Sequence, residues 1–330
     1  MTVRERFLSV LNFQKPEGGI PTLEWAPYWD KTLTRWSGEG IETWDYEALS
    51  RYFGLDVMHC ISVPVTKGLP APAYHGAGVI NDEKDYERLR SCLLPEDGPD
   101  MLVAAAKGLK ERHDRGEIII RLWLDGFFWY PRSLLGIENH LYAFYDQPDL
   151  IKRMNEELAE HEIKCIEALF SELTPDFAGF AEDMSYNNGP MLSEECFDEF
   201  LKPYYLKVIP HIKKRGVKVM VDTDGLLHDL IPWLRGVGVD GIYPLERQSG
   251  VDVNFIRQTY PDFLMLGGFD KMTFEKGRDA IKAEFERLLP VIESGGYIPS
   301  MDHQTPPSAS LEDYKYYVSL LKEYCKKYSK

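Results

Sequence analysis

The chain has 330 residues, 44% of them hydrophobic and 28% charged, with a formal net charge of −15. That composition supplies a large core and excludes a disordered chain, and the acid excess disfavours nucleic acid or a large polyanion as partner. No apolar run approaches the about 20 residues of a membrane span, residues 1–6 lack a signal-peptide pattern, and Cys60, Cys92, Cys165, Cys196 and Cys325 form no C-x-x-C, so a cytoplasmic location is expected.

Helical and strand patterns then alternate, as in a parallel α/β fold. Residues 3–13 carry Phe7, Leu8 and Leu11 at helical spacing. Strands are predicted at 20–25 and 55–61, followed by a loop over 64–81 rich in Pro and Gly. A helix at 98–113 precedes a strand at 117–124, and the longest helix is expected over 148–173. After a strand at 177–181, Ser193 is placed to cap a helix, with Glu194 and Glu195 suiting its dipole. Strands at 217–221, 239–243, 263–266 and 297–299 alternate with helices at 226–235, 275–292 and 310–327. Eight strands with helices between them predict a (β/α)8 TIM barrel. No linker divides the chain, so residues 1–330 are expected to form a single domain with an N-terminal extension. No G-x-G-x-x-G follows an early strand, which argues against a dinucleotide-binding sheet.

Active sites of such barrels lie where strands run into the following loops. Those exits carry Glu24, His59, Asp125, Glu182 with Asp183, Asp222 with Asp224, Glu246, Asp270, and Asp302 with His303. A cavity lined this way suits a divalent metal or a positively charged substrate. The sharpest feature is Val221-Asp222-Thr223-Asp224-Gly225. Residues i and i+2 of an extended segment share a face, so both carboxylates can enter one cavity; alternatively, Asp224 caps the next helix. Asp302 beside His303 can orient the imidazole or help hold a metal, or both can lie in a solvated loop. Trp25, Tyr28, Phe128 and Tyr243 are candidate walls for a small-molecule pocket, although such aromatics also serve as core. His113, His140, His161, His211 and His228 fall in or beside helices and read as surface or packing residues.

Several stretches, in order, are similar to one superfamily. They are Arg4-Glu5-Arg6-Phe7-Leu8 with Lys15-Pro16, and Ser193 to Phe197 with Phe200, Pro203 and Tyr204. They continue with residues 216–225 followed by Leu230, Pro232 and Gly238-Val239-Asp240. Gly267-Gly268-Phe269-Asp270, Gly295-Gly296-Tyr297-Ile298 before Asp302-His303, and Ser310 to Tyr314 complete the series. Together they resemble the uroporphyrinogen decarboxylase and cobamide-dependent methyltransferase superfamily, whose fold is an α/β barrel.

The resemblance implies an enzyme of one of two kinds. The decarboxylases carry an Arg-rich segment near the N-terminus, where this chain has Pro21-Thr22-Leu23-Glu24-Trp25-Ala26-Pro27-Tyr28-Trp29 and no arginine. The methyltransferases hold zinc with a His-x-Cys pair and a later Cys, and these places read Asp222-x-Asp224 and Asp302-His303 here. Zinc or another divalent metal would then have carboxylate and imidazole ligands, with Asp222, Asp224, His303 and Glu182 as the set. The expected function is transfer of a methyl group from a small ether or amine to a cobamide carried by a separate corrinoid protein. Asp302 would orient His303. The alternatives are a carboxy-lyase, with Asp56, Asp125 or Asp270 as proton donor and Arg121, Arg132 and Arg247 for anions, and a non-catalytic small-molecule-binding barrel.

Overall fold

The computed structural model describes residues 1–329. Its centre is a seven-stranded parallel sheet in which chain order is also spatial order. The strands are β1 (Met58–Ser62), β2 (Ile119–Asp125), β3 (Phe177–Ala181), β4 (Lys218–Asp222), β5 (Gly241–Tyr243), β6 (Leu264–Phe269) and β7 (Tyr297–Met301). Parallel neighbours need long crossovers, and helices supply them, among them Gly98–Asp114, Pro148–Glu172, Lys202–Lys213 and Arg278–Ser294. One apolar cluster, containing residues from Phe7 to Tyr328, joins the sheet to these helices.

The sheet is strongly curled. Arg121 on β2 and Tyr243 on β5 are three strands apart, about 14 Å in a flat sheet. Yet the guanidinium lies 5.8 Å from the Tyr243 ring. Small residues on β3 permit the approach: Gly179 lies under the Tyr243 hydroxyl, where a Cβ would collide with it. The concave face carries Arg121, Trp123 and Asp125 from β2, and the register aligns Arg121 with Cys60 and Phe177, and Asp125 with Ala181, Asp222 and Tyr243. The opposite face of β2 presents Ile120, Leu122 and Leu124, all fully buried. Helix Val3–Leu11, opened by a Thr2–Glu5 capping box, sets Phe7 against Phe177 at 5.5 Å. It therefore plugs the concave face at the N-terminal end of the strands.

The expected first strand does not form. Residues 20–25 make no ladder; Pro21 has no N–H to give, and side chains take over the work. Thr22 N–H donates to Asp56 Oδ2 at 2.8 Å, and Asp56 N–H to Thr22 O at 2.7 Å. Trp25 Nε1 donates to Met301 O at 2.8 Å, and the buried Glu24 carboxylate accepts from Ser300 Oγ at 2.5 Å and Met301 N at 3.1 Å. The segment thus bridges from the start of β1 to β7 without pairing as a strand. Elsewhere the expected strands fall within a few residues of those observed. The helix expected at 226 begins at Leu230, preceded by a loop whose Leu226 N–H donates to Tyr186 O. Short helices at Asp30–Gly38, Tyr46–Phe53, Trp129–Leu135 and Ile137–Asp146 were not anticipated.

Among the described residues no helix is long and apolar enough to cross a membrane. Inside the long helix Pro148–Glu172, Glu162 is fully buried and neither carboxyl oxygen has a hydrogen-bond partner. Burial, then the charges of Asp125 and Glu182, push its pKa well above the ordinary value. A raised folded-state pKa favours the fold while the group is protonated. That contribution is full below the unfolded pKa and is lost, at about 1.4 kcal/mol per pH unit, as pH climbs towards the folded pKa. Glu162→Gln should therefore flatten the decline in unfolding free energy between pH 6 and pH 8.5 measured by urea titration. The same decline in both proteins would contradict this reading of Glu162.

Candidate functional site

The C-terminal strand ends gather one cluster of charged side chains. Asp222 ends β4 and faces the concave side; Asp224 follows after Thr223, whose hydroxyl accepts from Met184 N at 3.0 Å and so ties the β3 and β4 exits together. Gly225 then turns with φ +87°, pressed against the backbone of Ser185 and Tyr186. Asp224 is not the cap of the next helix, which begins five residues beyond Gly225. Instead its Oδ2 lies 3.8 Å from His303 Nε2. Burial, followed by the charges of Asp183 and Glu246, pushes the Asp224 pKa up to about 7. Asp222 is raised well above the carboxylate range by burial, against the pull of Arg121. Burial and the nearby Lys271 ammonium hold the His303 pKa below its usual value. Near neutral pH the pair is thus an acid poised to give up a proton beside an uncharged imidazole.

Cations border the cluster. Lys271 Nζ lies 2.9 Å from Glu246 Oε1. Burial works against the Glu246 carboxylate, but Lys271 and a hydrogen bond from Ser249 outweigh it, and its pKa is lowered. Arg132 reaches Asp183 Oδ2 at 3.4 Å. Two cavities flank the cluster. One, of about 470 Å³, is lined by Trp29, Lys271, Met272, His303, Gln304 and Pro306; the other, of about 370 Å³, by His75, Trp129, Arg132, Ser133, Ile137 and Asp183. The Trp25 ring packs 5.4 Å from Tyr243 and 6.4 Å from His303. Asp125, on the concave face, is pushed up to about 6 by burial.

Other expected site residues are spent on structure. Glu182 is buried, and its carboxylate accepts from the N–H groups of Phe127, Phe128 and Trp129 at 2.9, 2.8 and 3.1 Å and from the Tyr205 hydroxyl. Asp302 does not orient His303; its oxygens accept from Arg247 N at 3.0 Å and Lys271 N at 3.1 Å, joining the loops after β5 and β6. Glu24 is the strut described above. Tyr28 is buried among Trp36, Phe53 and Tyr314, and Phe128 against His140 and Phe144. His59 turns away from the concave face to Glu47 Oε2 at 3.0 Å. Asp270 caps a short turn at Met272 N and accepts from Gln248. Asp56 is held by Arg6 at 3.0 Å, so of the three proton donors expected for a lyase only Asp125 lies free on the concave face.

The donor set for a metal is not assembled. Among the described residues no group of three His, Cys, Asp or Glu side chains is placed to hold an ion. Glu182 accepts four hydrogen bonds and Asp302 one at each oxygen, so both are drawn into structural contacts and away from Asp222, Asp224 and His303. Lys271, in turn, was not anticipated from sequence; as one lysine after an Asp, it carried no signal until the β6 exit placed it beside Glu246.

The sequence model of the family described as uroporphyrinogen decarboxylase (URO-D) matches residues 76–324. The chain belongs to that family. No curated protein matches it. Among solved structures, a methyltransferase from Methanosarcina mazei is similar over 98% of both chains at 16% identity, with a TM-score of 0.65, and shares the fold. A Listeria monocytogenes protein described as a vitamin-B12-independent methionine synthase aligns over 93% of this chain and 97% of its own, at 14% identity and a TM-score of 0.49.

Burial is the largest influence on Glu182 and pushes its pKa up to about 7, against the donors that hold it. Removing the clamp strands three backbone N–H groups. Glu182→Ala should lower unfolding free energy by on the order of 3 kcal/mol in urea titration. A loss below about 0.5 kcal/mol, the range of ordinary surface changes, would show the clamp to be dispensable.

Proposed function

We propose that the chain transfers a methyl group from a small O- or N-methylated substrate to an acceptor, with the strand-exit acids supplying the proton that the departing heteroatom needs. The observation that carries this is Asp224 facing His303 across 3.8 Å at the exits of β4 and β7, with Asp222 on the same face. In the step, the bond from methyl to oxygen or nitrogen breaks and its electron pair stays on the heteroatom. That atom takes the proton from Asp224, and the methyl joins the acceptor's nucleophile. General acid assistance of this kind is worth about 100-fold to 10,000-fold. Uncharged His303 then relays a proton back to Asp224.

Family membership and the shared fold with a methyltransferase support the reaction class, and the family resemblance supports a cobamide on a separate corrinoid protein as the acceptor. The closed barrel usual for this superfamily is part of the same reading. A proton takes the place here that a Lewis-acidic metal would otherwise fill, because Asp222 and Asp224 are buried and raised while Glu182 is held by backbone N–H groups.

Single-turnover methyl transfer to reduced cobalamin, run over a panel of methyl ethers and methylamines, tests the reading. Asp224→Asn should lower the rate about 100-fold or more. The wild-type rate should fall as pH rises through about 7, the pKa of Asp224, because the protonated form is the active one. Dialysis against a chelator should leave the rate unchanged. No transfer across the panel, or a rate that rises through pH 7, would overturn the proposal.

A further inference from the structure

Arg121 is the buried cation that the methyl-transfer reading does not use. It sits on the concave face of β2, only 7% exposed, and its Nε and Nη1 have no hydrogen-bond partner. Other arginines of the chain are committed: Arg6 to Asp56, Arg112 to Glu47, Arg287 to Glu284. Arg121 instead lies between aromatic faces, 4.6 Å from the Trp123 ring and 5.8 Å from Tyr243. Nε and Nη1 are thus left without an acceptor, while Tyr243, Cys60 and Asp222 act on the guanidinium charge. The Tyr243 hydroxyl, fully buried over Gly179, also has none.

Leaving a guanidinium unpaired in a protein interior is expensive. It is tolerated where the fold prepares a place for a charge that arrives later. Cys60, in register with Arg121 on β1, is exposed, as is Ser62 beyond it, so the concave face meets solvent along β1. Towards the strand ends the same face carries Asp125 and Asp222. A cationic floor beneath an acidic rim selects a molecule that is anionic at one end and not at the other.

We propose that Arg121 and the Tyr243 hydroxyl form an anion subsite in the curl of the sheet, which takes the carboxylate of a small methylated acid. The planar fork of the guanidinium edge matches a carboxylate. The carboxylate end goes down to Arg121, and the rest of the molecule extends towards Asp222 at the strand exits. The inference rests on the methyl-transfer reading for the methyl group only; the carboxylate stands on Arg121.

Titration calorimetry on the full chain tests it with methoxyacetate and N,N-dimethylglycine as probes. Methoxyacetamide is the uncharged counterpart and inorganic phosphate the competing anion. The wild type should bind the carboxylates at least about tenfold more tightly than the amide, the scale of a charge-assisted hydrogen bond. Arg121→Gln should abolish that preference while melting at the same temperature as wild type or higher, because an unpaired buried charge is gone. Tyr243→Phe should weaken the carboxylates several-fold and leave the amide unchanged. Equal binding of carboxylate and amide, no binding of either carboxylate, tighter binding of phosphate, or a preference that survives Arg121→Gln would each overturn the proposal. An Arg121→Gln protein that melts well below wild type, together with unchanged binding by Tyr243→Phe, would make Arg121 a structural strut and overturn it as well. A carboxylate preference that persists although no methyl transfer is found would leave the subsite standing and remove the transfer reading. Transfer without the preference would do the reverse.

Discussion

The cost of burying a carboxylate governs this structure. A charged carboxyl taken from water must be satisfied by donors or hold its proton. Glu182, Asp302 and Glu24 gain donors from backbone N–H groups, hydroxyls or both, although burial still pushes their pKa values up. In doing so they fasten β3 to the turn after β2, the β5 exit to the β6 exit, and the N-terminal segment to β7. Asp222 and Asp224 have no such donors, and burial raises their pKa values as well. The difference separates the residues that build the strand exits from those left free to do chemistry there.

The curl of the sheet makes that separation useful. It brings side chains from β2 and β5 into contact across three strands, with Gly179 providing the clearance for Tyr243. Phe7 plugs the end opposite the acids. What results is a face with an aromatic and cationic floor and an acidic rim. Sheet geometry fixes this gradient of charge, because register alone sets Arg121 four residues below the level of Asp125, Ala181 and Asp222.

Much of this is legible in the chain itself. The strands β2 to β7 announce themselves through short apolar runs, and the Asp222-x-Asp224-Gly225 pattern marks the β4 exit without any structure. The failures have a common cause. Glu24, Glu182, Asp302 and Asp270 all follow or sit in strand-like segments, and sequence shows that an acid is present but not which donors converge on it. Only the fold reveals that three consecutive N–H groups at 127–129 aim at Glu182. Residues 20–25 look like a strand because Ile20, Leu23 and Trp25 are apolar, but their partners are side chains from distant parts of the chain. The value of Arg121 is hidden for the opposite reason: its significance is the absence of a partner, which no local pattern records.

The central claim is that an unclamped strand-exit acid keeps its proton near neutrality. Carbon-13 NMR of aspartate side-chain carboxyls, followed from pH 4 to pH 9 in the wild type and in Asp224→Asn, addresses it directly. The account predicts a resonance that titrates at about 7 in the wild type and disappears in the variant. If the resonance lost in Asp224→Asn instead titrates in the ordinary range near about 4, the acid is ionised at work and the account fails.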